Sequence, residues 1–90
     1  MKKTIVIDYE RDLRTILLLA ARNKIKKSIT TNVYAEGYFT GMGEALQIAA
    51  LQLLSRLVWL CPERYTFKDY SSREEYIQLR IKRFVKEKIK

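Results

Sequence analysis

The chain alternates between β-like and helix-like patterns of apolar residues. Residues 4–7, Thr-Ile-Val-Ile, are β-branched throughout, and such a run predicts a short strand. Asp8 then stands where it can cap a helix. Leu13, Ile16, Leu17 and Ala20 follow at helical spacing, with Leu18, Leu19 and Ala21 widening the stripe. The spacing predicts a helix over 9–23, with a strand at 15–21 as the alternative for so apolar a run. Glu10 and Asp12 suit its first turn, and Lys24, Lys26 and Lys27 suit its end, because the helix dipole favours acids first and bases last.

Residues 29–39 alternate. Ile29, Thr31, Val33, Ala35 and Phe39 fall on one side, and Thr30, Asn32, Tyr34, Glu36 and Tyr38 on the other. Period-two alternation predicts a strand with one buried face. Gly37, on the apolar side, reads as a bulge or bend. Alternatively, Asn32 or Glu36-Gly37 turns the segment into a hairpin. Gly41-Met42-Gly43-Glu44 then opens the longest helix, over 42–61. Its polar residues leave only a narrow wet stripe, so burial on more than one side is expected. Pro62 ends it.

An aromatic loop over 62–70 carries Tyr65, Phe67 and Tyr70. Ser71 with Glu74 and Ser72 with Glu75 form two overlapping capping boxes, which predict a last helix over 72–88. Ile77, Ile81, Phe84 and Val85 make its apolar stripe. The order β-α-β-α-α gives an α+β fold, a single domain over 1–90 with a small β-sheet packed on a long central apolar helix.

Charge sharpens this picture. The chain has 18 bases and 10 acids, a net charge of +8. Residues 1–30 hold 8 bases and 3 acids, residues 31–60 hold 1 and 2, and residues 61–90 hold 9 and 5. A nearly neutral middle lies between basic flanks, and excess positive charge favours anionic partners. Arg80, Lys82, Arg83, Lys86 and Lys90 lie on the polar side of the last helix, with Lys82, Lys86 and Lys90 spaced by four. Such a ridge can reach several phosphates together. Lys24, Lys26 and Lys27, with Arg22, form a second basic stretch, and Tyr34 and Tyr38 offer stacking surfaces for unpaired bases. The ordinary alternative is a solvated helix face, with tyrosines covering the sheet.

Candidate chemistry is sparse. There is no histidine and one cysteine, Cys61, which removes the usual proton shuttle, the common zinc sites and a Cys-His nucleophile. Asp8, Glu10 and Asp12 read as capping and local ion pairing rather than acid–base groups. The Gly37-x-x-x-Gly41-x-Gly43 segment lacks the nucleotide-binding signatures and reads as a tight turn rather than a phosphate site. No metal or cofactor is expected. Cys61 forms no internal disulfide and suits a reducing, cytoplasmic setting. The most apolar stretch, 45–61, contains Gln47, Gln52, Ser55 and Arg56, so no membrane span is expected. The first residues lack a signal peptide's apolar core.

Small size, a Lys/Ile/Tyr-rich style and the absence of catalytic motifs resemble the small accessory proteins of phages and mobile elements. No motif carries that likeness, and no residue role comes with it. The leading expectation is a non-catalytic module engaging nucleic acid through the basic last helix. The alternative is a protein-binding adaptor or inhibitor, acting through the central helix or the aromatic loop. The apolar central helix also points to a homodimer.

Overall fold

The computed structural model describes residues 2–67 and 69–89. It is a bundle of three helices, α1 (Lys2–Ile29), α2 (Val33–Leu60) and α3 (Tyr70–Ile89). No strand occurs among the described residues, which corrects the expected α+β fold. Helix α1 packs chiefly on α2, and α3 lies against both. At ~1.5 Å per residue, the 28 residues of α1 and of α2 run most of the 45 Å long axis. The 20 residues of α3 cover only part of that length.

The β-branched run at 4–7 is helical because Val6 falls in register with Leu13 and Leu17, and all three are buried in one core. β-Branching costs a helix only ~0.5 kcal/mol per residue, and fully burying one such side chain returns roughly 1.5–3 kcal/mol. Asp8 therefore lies inside α1, paired with Arg11 at 3.1 Å rather than capping.

The expected strand at 29–39 is the end of α1, a three-residue turn and the start of α2. Its alternation marks no buried face, because Ile29 and Val33 are 76% and 79% exposed. Asn32 does turn the chain, as the N-cap of α2 in a helical hairpin. Its side chain accepts from the amides of Tyr34 and Ala35 at 2.9 and 3.2 Å. Gly37, Gly41 and Gly43 all lie inside α2, and none has a positive φ. The tight-turn and phosphate-loop readings of that segment both fall. The core stripe of α2 lies beyond it, from partly buried Leu46 to buried Ala50, Leu54 and Leu57.

Helix α2 ends at Leu60, with Cys61 as its C-cap and Pro62 beyond. It packs on both α1 and α3, with partly buried Leu46, Leu51, Leu53 and Leu60 flanking buried Ala50, Leu54 and Leu57. Ile48 and Trp59, on the remaining side, are exposed, so residues 42–61 are covered on more than one side, as expected, but not enclosed all round. The start of α3 is fixed by Asp69, whose carboxylate accepts from the amide and the hydroxyl of Ser72, both at 2.8 Å. This replaces the two expected capping boxes. The three helices enclose one core, with Leu17, Leu54 and Leu57 wholly buried. No helix among the described residues is long and apolar enough to cross a membrane.

Candidate polyanion-binding groove

The register of α1 and α3 builds the main polar surface. With Leu13 and Leu17 turned inward, Glu10 and Arg14 emerge on the flank of α1. With Ile77, Ile81 and Phe84 turned inward, Tyr76, Arg80 and Arg83 emerge on the facing flank of α3. Between them lies a groove of about 580 Å³, lined also by Arg64 and Tyr65 of the loop that follows α2. Four arginines, Arg14, Arg64, Arg80 and Arg83, line it beside a single acid, Glu10.

That acid is already engaged. Arg64 Nη2 lies 2.9 Å from Glu10 Oε2, and Nη1 donates to Oε1 at 3.5 Å. The Tyr65 hydroxyl donates to the same carboxylate. Burial, then this hydrogen bond to Glu10, pushes the Tyr65 phenol well above the ordinary tyrosine range. The cluster ties the loop to α1 within the groove's lining.

Arg80 is held by its own helix. Its guanidinium carbon lies 5.7 Å from the Tyr76 ring centre and 5.6 Å from that of Phe84, within the range of cation–π attraction. It also donates to the Tyr76 hydroxyl at 3.4 Å. A guanidinium stacked on rings keeps outward N–H donors in a planar fork, the geometry that grips a phosphate through two bonds. Among the described residues, Arg14, Arg80 and Arg83 have no carboxylate partner within 4 Å.

The basic residues expected from sequence separate into groups. Arg80 and Arg83 line the groove. Lys82 and Lys86 are exposed on the adjoining outer side of α3. Lys90 lies outside the described residues. Lys24 and Lys27 line a different pocket, of about 240 Å³, where α1, α2 and α3 meet, and Lys26 is exposed elsewhere on α1. Tyr34 and Tyr38 are exposed on α2, which contributes nothing to the groove. Arg14 and Arg64 were missed. No local signal marks them, because a fold contact brings Arg14 to arginines 66 and 69 positions away in α3, and Arg64 to the same two, 16 and 19 positions away.

Two of the three aromatic residues of the loop face inward. Phe67 packs on the Tyr76 ring at 5.1 Å between centres, Tyr65 is partly buried, and only Tyr70 is exposed. Cys61 is buried. Among the described residues, no three histidine, cysteine, aspartate or glutamate side chains are grouped to hold a metal ion. The fold and surface define a basic three-helix bundle. No protein-family model, no curated protein and no solved structure matches the chain.

Proposed function

We propose that this protein is a non-catalytic module that binds nucleic acid, with the arginine groove between α1 and α3 as the contact. The observation that carries the reading is the convergence of Arg14, Arg64, Arg80 and Arg83 on one groove whose only acid is already paired. A net charge of +8 draws a polyanion to the surface, and the groove fixes where its backbone lies. Lys82 and Lys86, exposed beside Arg83, extend the contact along α3. Arginine forks hold phosphate oxygens, while the lysines act as point charges. Such contacts position a backbone and carry no base readout, so affinity should depend on salt more than on sequence.

The test is binding to generic single-stranded DNA, duplex DNA and RNA across a salt series. With Arg64 already paired to Glu10, three to five phosphate contacts predict a log–log slope of about −2 to −4.5, at ~0.7–0.9 per contact. Binding that ignores salt, or that appears only with an acidic protein, removes the proposal.

A further inference from the structure

We propose that the outward face of α2 is the interface of an antiparallel homodimer, with its two-fold axis passing between Leu46 and Gln47. The argument is independent of the nucleic-acid reading. Positions 34, 38, 41, 45, 48, 52, 55 and 59 repeat at alternating steps of four and three, the spacing of a helix–helix seam. None of these residues is charged, and all are exposed except Ser55, which borders α3 and accepts from Arg73 Nη1 at 3.2 Å. Tyr34 is 90% and Trp59 82% exposed. A single helix in water has no use for an uncharged seam of this length.

The occupant follows from charge and volume. Across the 28 residues of α2 there are three charges, Glu36, Glu44 and Arg56. On a chain of net charge +8, this is the face on which a second copy meets least repulsion. Reversed on itself about the point between residues 46 and 47, the seam sets Tyr38 against Ser55, Gly41 against Gln52 and Ala45 against Ile48. Each pairs a large side chain with a smaller one, as close packing requires. Tyr34 then meets Trp59 at both ends, where two rings can stack. A parallel pairing would instead set Gly41 on Gly41 and Trp59 on Trp59, leaving gaps and bulges.

Area is sufficient. At the ~150–250 Å² that an aromatic side chain buries, the three exposed aromatics supply on the order of 500 Å² per chain, and two chains reach the ~1,000 Å² of a specific interface. Gly41 fits the reading: an added Cβ there, as at Gly37 outside the seam, would meet nothing within 4 Å in the monomer. Glycine is the poorest helix former after proline, and the monomer's own packing gives no reason for it here. The groove contains no α2 residue, so the dimer leaves both grooves open.

Sedimentation of the full chain across micromolar concentrations should give twice the 10.7 kDa chain mass, with emission from Trp59, the one tryptophan, shifting to the blue as the dimer forms. Ala45→Glu with Ile48→Glu, both at exposed positions, should halve the mass and leave helical circular dichroism unchanged. Cysteine cross-linking tests the register without relying on that variant. Tyr34→Cys mixed with Trp59→Cys should link under mild oxidation, and neither should link to itself, since like positions stand about 37 Å apart at ~1.5 Å per residue. A monomeric mass at every concentration, or self-linking of Tyr34→Cys, overturns the proposal.

Discussion

The side-chain amide of Asn23 on α1 donates to the main-chain carbonyl of Phe39 on α2 at 2.7 Å. This joins the two long helices and satisfies the nitrogen of a buried amide whose Oδ1 has no hydrogen-bond partner among the described residues. Asn23 is 7% exposed. The bond fixes which end of its amide is nitrogen, because an oxygen there would face another oxygen. Gly43 makes the approach possible, since a Cβ on it would sit 3.1 Å from Asn23 Nδ2.

Gly43→Ala should therefore lose what a helix ordinarily gains from alanine. The gain is up to ~1 kcal/mol, while a displaced and unsatisfied buried amide costs about 1–3 kcal/mol. Urea denaturation should show Gly43→Ala destabilised by about 1 kcal/mol. Gly37→Ala, where a Cβ meets nothing within 4 Å, should stabilise. In an Asn23→Ala background the sign at Gly43 should reverse. Equal effects in both backgrounds would remove this account of the contact.

Caps at the two turns predict a second set of outcomes. Asn32→Ala should cost about 1 kcal/mol, the usual loss for an N-cap that satisfies backbone amides. Asp69 responds to acid as well. Hydrogen bonds from the amide and the hydroxyl of Ser72 hold its carboxyl below the ordinary carboxylate range. Its contribution is present above about pH 3.9, the unfolded value, and is lost as pH falls through the lower folded value. Asp69→Asn should flatten that part of the acid limb in a melting-temperature profile, whereas an unchanged limb would mean the cap carries no charge-dependent stability.

Tyr65 predicts behaviour at the alkaline end. Its folded pKa lies above the unfolded value of about 10, first through burial and then through Glu10. The linked stability is fully present below that value and is lost as pH rises toward the folded one. In a spectrophotometric titration, one of the six tyrosines should ionise after the others. Tyr65→Phe should abolish that late step. Six tyrosines titrating together would contradict the Glu10–Tyr65 contact.

Sequence carried the helices far better than it carried their limits. The apolar stripe of α2, its stop before Pro62 and the basic side of α3 were all legible, because each is a local pattern with a local cause. The strand at 4–7 was misread because β-branching is a weak preference, and Val6 gains more from the core it shares with Leu13 and Leu17. The strand at 29–39 was misread because alternation implies a buried face, and this segment lies at the bundle tip, where Ile29, Val33 and Tyr34 are exposed. The three glycines read as a tight turn lie inside α2, whose N-terminal half is tied to α1 by the Asn23–Phe39 bond beside Gly43. Half of the groove was legible as Arg80 and Arg83. Arg14 and Arg64 join them only through the packing of α1, α3 and the loop between α2 and α3, which no window of sequence contains.

Convergence of four arginines on one groove is the central claim, and matched charge reversals test it most directly. Arg14→Glu with Arg83→Glu removes two groove cations, while Lys26→Glu with Lys3→Glu makes the same change in net charge at exposed positions outside the groove. Measured by fluorescence anisotropy on one oligonucleotide across a salt series, the groove variant should bind at least tenfold more weakly, with a slope reduced by about 2, at ~0.9 per lost phosphate contact. The distal variant should lose far less and keep its slope. Equal losses from the two variants would mean that net charge alone draws the nucleic acid, and that the groove has no part in binding it.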